Sequence, residues 1–201
     1  MNYTVVALLV GSVMLMVASA LATNAPAYVP IARVDLSTAE ASLRHAALNA
    51  LAAYVNGKAP TVGTALSQNL NALDERFVPW SSYTILSYSP TFTADYWSEA
   101  SLFVKYTLSV GGRPVDYTCS VRFGGSVVSS GSEGIYFAVT VKFYDENGLI
   151  ASRSLIFDPK PVKVEAFGDF LKLYFFQKPE SIDVVDERGL RIRLRLEHGP
   201  F

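Results

Sequence analysis

Residues 102–123 read LFVKYTLSVGGRPVDYTCSVRF, a run with a period of two on either side of a glycine pair. Leu102, Val104, Tyr106, Leu108 and Val110 alternate with Phe103, Lys105, Thr107 and Ser109. After Gly111-Gly112 and Pro114, Val115, Tyr117, Cys119, Val121 and Phe123 alternate with Asp116, Thr118, Ser120 and Arg122. Successive side chains of a strand point to opposite faces, so each arm presents one apolar face and one polar face. The stretch predicts a half-buried antiparallel hairpin.

Moving toward the C-terminus, GGSVVSSGSEG (Gly124 to Gly134) reads as a flexible Gly/Ser-rich connection, and Ile135 to Phe143 as the next strand. Asn147-Gly148 signals a tight turn, because a type I′ turn needs two residues at positive φ. Leu149 to Phe157 then reads as the return strand. Two more hairpins follow, turning at Gly168-Asp169 and at Arg188-Gly189. Pro159, Pro161 and Pro179 fall between them, where proline removes no central ladder bond. The pattern over residues 80–198 predicts a mainly β domain of about eight to nine strands, an antiparallel β-sandwich or a strongly curved sheet.

Toward the N-terminus the period changes. Residues 37–77 read as an amphipathic helical segment. Ser37 and Glu40 match a capping box, and Leu43, Ala47, Ala50, Leu51 and Tyr54 form a stripe at helical spacing. Asn56-Gly57 supplies the stop. A weaker second helix carries Leu66, Leu70, Leu73 and Phe77. Pro26 and Pro30 mark residues 23–36 as an extended arm, since proline breaks helices and biases its predecessor to extended backbone. Tyr3 to Ala22 carries no charge and is about 20 residues long, enough to span a bilayer core as a helix. Residues 1–22 read either as a cleaved signal peptide, with Ala18-Ser19-Ala20 or Ala20-Leu21-Ala22 as the cleavage site, or as a retained membrane anchor. Both place the remainder outside the cytoplasm, membrane-anchored or secreted.

The composition excludes some partners. Lys and Arg total 17 against 18 Asp and Glu, a formal charge of −1, which gives no electrostatic case for nucleic acid. The lone cysteine, Cys119, forms no internal disulfide and cannot build a zinc site alone; in its alternating run it reads as a small buried residue. His45 and His198 are the two histidines, and no G-x-S-x-G elbow or glycosidase-like carboxylate pair stands near either. The acidic pairs Asp74-Glu75, Asp145-Glu146 and Asp186-Glu187 fall at helix ends or turns. No catalytic, cofactor or metal residue is expected, and the chain reads as non-enzymatic.

Two groups of residues are candidates for contact with partners. Arg191, Arg193 and Arg195 alternate with Ile192 and Leu194, which puts three guanidinium groups on one face of a strand, a patch for an anionic partner. Trp80, Tyr83, Tyr88, Tyr96 and Trp97 crowd one Pro-flanked stretch and are candidate interface aromatics. The order of a hydrophobic N-terminal helix and a β body is similar to the layout of archaeal pilin-like or stator-like envelope proteins. That likeness implies a structural or assembly component of the cell envelope, as a surface, filament or membrane-machine subunit. Pro26 and Pro30 interrupt any long helical spine, so the arm could instead add as a strand to a neighbour's sheet. The alternative is a binding module with an apolar pocket between the helices and the sheet.

Overall fold

The computed structural model describes residues 36–73, 80–92, 97–110, 112–150 and 154–196. The Tyr3 to Ala22 segment, the arm up to residue 35, Phe77, Tyr96 and His198 therefore lie outside the described residues. Helix α1 spans Leu36–Val55, beginning one residue before Ser37, and buries Ala39, Leu43, Ala46, Ala47, Ala50 and Leu51. Small alanines on this stripe let the helix lie close to the sheet. Gly57 ends it at φ 69, where its N–H donates to the Tyr54 carbonyl at 3.0 Å. Glycine takes that left-handed position without a Cβ penalty. Helix α2 spans Val62–Asn71. Its N-cap is Thr61, whose hydroxyl accepts the Thr64 N–H at 3.1 Å.

Among the described residues ten strands follow: β1 Trp80–Ser89, β2 Trp97–Val110, β3 Arg113–Glu133, β4 Tyr136–Asp145, β5 Gly148–Ile150, β6 Ile156–Asp158, β7 Lys163–Phe167, β8 Phe170–Phe175, β9 Ser181–Val185 and β10 Arg191–Arg195. They make two sheets, one in the order β1-β2-β3-β4-β8-β7 with β5 paired to β4, the other in the order β10-β9-β6. The protein is mainly β, and its ladders are antiparallel. The β2–β3 register pairs Leu102 with Val121, Val104 with Cys119, Tyr106 with Tyr117 and Leu108 with Val115. All the apolar partners thus share one face, as the alternation requires. Helix α1 packs on that face against β2 and β3, and β10 packs on it against the same two strands. One apolar core joins the helices and both sheets. Among the described residues no helix is long and apolar enough to cross a membrane.

Two expectations are corrected. Gly124 to Gly134 is not a connecting loop: β3 continues through it to Glu133 and pairs with β4. The first two glycines are there for room. A Cβ on Gly124 would lie 2.3 Å from the Tyr144 ring on one face, and one on Gly125 would lie 2.7 Å from the Phe143 ring on the other. A composition that reads as flexible is here a strand that two aromatic rings cross closely. Nor is Leu149 to Phe157 one return strand. Its start, β5, pairs β4 in the larger sheet, and its end, β6, pairs β9 in the smaller. The two ends thus belong to different sheets, and the described residues form ten strands.

Candidate functional site

The row of arginines on β10 exists as the alternation predicts. Ile192 and Leu194 are buried, while Arg193 and Arg195 are exposed and Arg191 is half-buried. The row is partly compensated, with one carboxylate set against three guanidinium groups. Asp183 lies directly across from Arg193 on β9, and its carboxylate accepts from Arg193 Nε at 2.6 Å and also from Arg191. Hydrogen bonds from Arg193, opposed by burial, hold the Asp183 carboxyl below its usual range. Arg195 instead stacks on Phe92, its guanidinium carbon 4.3 Å from the ring centroid. These side chains border a cleft of about 240 Å³ with Val55 and Thr91.

The aromatics are divided between two faces of the larger sheet. Trp80, Tyr83 and Tyr88 pair with Leu108, Tyr106 and Leu102, on the face the helices cover. The Tyr83 hydroxyl and the Ser67 hydroxyl of α2 are hydrogen-bonded at 2.6 Å, and Tyr88 meets Tyr54 of α1 edge-on at 5.9 Å. Trp97 lies on the other face, where its Nε1 donates to the Tyr144 hydroxyl at 2.5 Å. That hydroxyl donates to Glu99, which also accepts from Arg122 Nε at 2.7 Å. The Arg122 guanidinium in turn covers the Tyr144 ring at 4.6 Å. No single aromatic surface forms from these four residues; each is tied into local packing.

A buried ion network, unmarked by any motif, joins distant parts of the chain. Glu146, in the β4–β5 turn, accepts from Arg188 Nη1 at 2.8 Å and from Arg44 Nη2 of α1 at 2.5 Å. It also accepts the backbone N–H of Arg122 at 3.2 Å. Burial pushes the Glu146 carboxyl up, but hydrogen bonds from Arg188, the backbone and Arg44 outweigh it and bring the pKa down to about 2. Arg188 donates further to Asp186 and to the Arg122 carbonyl, and Asn56 Nδ2 donates to the Gly189 carbonyl at 2.9 Å. These charges are matched to one another and clamp α1, β3 and the β9–β10 turn together, which is a structural arrangement.

Among the described residues two open surfaces remain, a cavity of about 650 Å³ along the helices, lined by Ser42, His45, Asn49 and Asn69, and a seam between the sheets. Strands β7 and β6 each pair on one side only among the described residues, at the ends of the larger and smaller sheets. An apolar cavity of about 580 Å³ separates them, lined by Leu155, Ile156, Phe157, Pro161, Val164 and Leu171, with Lys160 and Ser154 at its border. Ile156 is 68% exposed and Val164 is 46% exposed. Phe167 and Phe170, flanking the Gly168-Asp169 turn, are exposed on the opposite face of the sheet, with Lys163 and Glu165. An exposed strand edge beside apolar side chains is a template for another strand, and proteins commonly guard such edges with charge, proline or a bulge. Here β7 places Lys163 and Glu165 on the face away from Val164, so its charges do not guard the seam. Sequence alone could not indicate the seam, because it depends on which strands end each sheet. No family model, curated protein or solved structure matches this chain.

Proposed function

We propose that this chain is a non-enzymatic assembly component of the cell envelope, with its β domain displayed outside the cytoplasm by the Tyr3 to Ala22 segment. The observation that carries the assembly reading is the apolar seam bordered by the edges of β6 and β7. Exposed contiguous apolar surface of this kind marks interaction sites. The paired state of the buried charges supports a structural role for them, and the uncharged Tyr3 to Ala22 run supports the location. A filled interior favours assembly over a ligand pocket under the helices. Leu43, Leu51 and Leu66 are all fully buried, and the Tyr106 hydroxyl donates to the Leu43 carbonyl at 3.1 Å.

A membrane-impermeant maleimide applied to intact cells tests the location. Cys119 is 3% exposed, and burial raises its thiol pKa to about 11; a buried protonated thiol reacts poorly. The unaltered protein is expected to stay unlabelled. Ser132→Cys, at the exposed tip of the β3–β4 hairpin, is expected to label on intact cells. Labelling only after lysis contradicts external display.

A further inference from the structure

We infer that the seam between β6 and β7 receives the Ala25 to Leu36 arm of a second copy of this chain, which adds there as an extended strand. The inference rests on the proposed assembly role and names the partner at its site. The sequence of the arm suits the seam. Pro26 and Pro30 hold Ala25 and Val29 toward extended backbone, so part of the ordering cost of strand formation is already met. Val29 and Ile31 stand two apart and share one face of an extended strand, which matches the apolar lining by Phe157, Val164 and Leu171. Pro30, between them, lacks one ladder donor, which is tolerated on one side of an added strand. The backbone edge of β7 supplies the ladder, and the cavity supplies room for alternate side chains. That is the usual division of labour in strand addition.

Chain geometry selects a second copy over the same copy. The Tyr106 hydroxyl bonds the Leu43 carbonyl of α1, and Tyr106 pairs with Tyr117 on β3. Farther along α1, Tyr54 meets Tyr88, whose strand partner is Leu102, itself paired with Val121, so the helix starts toward the β2–β3 turn and runs away from it. The seam is at the opposite end of β3, at the level of Val127, Val141 and Leu171, which are successive cross-strand partners. Tyr117 and Val127 are ten residues apart in one strand, which places them roughly 30 Å from each other. Val34 is two residues before the helix, and a chain of two residues reaches only about 7 Å. Ile31, five residues before it, reaches at most about 18 Å. The run from Val29 to Val34 is thus too short to fill the seam of its own copy, whereas that of another copy has no such limit. Repeated head to tail, the contact is heterologous, and a rotation between copies that does not close a ring produces an open chain of subunits.

The test uses the full chain expressed with its N-terminal segment, in two separately tagged copies. One copy carries Ile31→Cys and the other Val164→Cys, and a short bismaleimide is added to the assembled material. A cross-linked species carrying both tags is expected, together with loss of that species when Ser132→Cys replaces Val164→Cys. Val164 and Ser132 are exposed, and circular dichroism of each cysteine variant is expected to match the unaltered protein. Folded copies that give no mixed cross-link overturn the inference. So does an intrachain link in the Ile31→Cys/Val164→Cys double variant. External labelling of Ser132→Cys reports separately on the envelope reading. If labelling succeeds and the mixed cross-link fails, the arm contact is wrong while the envelope location stands.

Discussion

Glu146→Ala is expected to lower the unfolding free energy by about 3–5 kcal/mol, the range for removing one partner from a buried ion pair. The carboxylate is the shared acceptor for Arg188, Arg44 and the Arg122 N–H. Its side chain is 11% exposed and that of Arg188 is 16% exposed. Removing it leaves the half-buried Arg188 with Asp186 as its remaining carboxylate. The same group sets a pH dependence. Its pKa is about 2 in the folded protein against an ordinary value of 4.5. A depressed folded-state pKa means that the unfolded chain binds the proton more readily. The stability Glu146 contributes is therefore fully present above about pH 4.5 and is lost as the pH falls toward 2. Urea unfolding from pH 7 to pH 2 is expected to show this decline in the unaltered protein and a shallower one in Glu146→Gln. Equal slopes for the two proteins contradict the network.

Phe143→Ala is expected to destabilise by about 3–5 kcal/mol, as for other buried aromatic truncations. The ring is fully buried. It stacks on Phe123 with centroids 6.0 Å apart and meets Phe157 of β6 at 6.2 Å. It also lies over Gly125, beside Ile192 of β10. One side chain therefore joins β3 and β4 of the larger sheet to β6 and β10 of the smaller. The melting temperature should fall by about 10 °C or more. Because the sheets share this core, unfolding should remain a single transition by far-UV circular dichroism and by tryptophan fluorescence. Two separated transitions contradict a shared core.

The local fold is legible in the sequence where one short-range rule decides it. Alternation from Leu102 to Phe123 gave a hairpin whose register matches. Gly148, Gly168 and Gly189 turn the chain at positive φ where tight turns were expected, but Asn147 is not at positive φ, so the turn at Gly148 is not the type I′ turn the Asn-Gly pair suggested. The stripe of Leu43, Ala47, Ala50 and Leu51 became the buried side of α1. The failures share a cause, which is contact between residues far apart in sequence. Gly124 and Gly125 read as flexible because their purpose lies in Tyr144 and Phe143, about 20 residues on. Asp145-Glu146 and Asp186-Glu187 do fall at turns, as read, but that Glu146 and Asp186 both bind Arg188 was not legible. The arginines of β10 stand on one face as the alternation predicts, but their shared counter-ion, Asp183, comes from the preceding strand. The seam depends on sheet order, which periodicity does not encode.

The most direct test is fractionation of the native cell into cytosol, membrane, medium and any filaments, with intact mass and particle size measured for this chain in each. Recovery in the membrane, medium or filament fractions as species of several copies is the predicted result. A monomer confined to the cytosol, with Met1 to Ala22 retained and protected inside its globule, would contradict it.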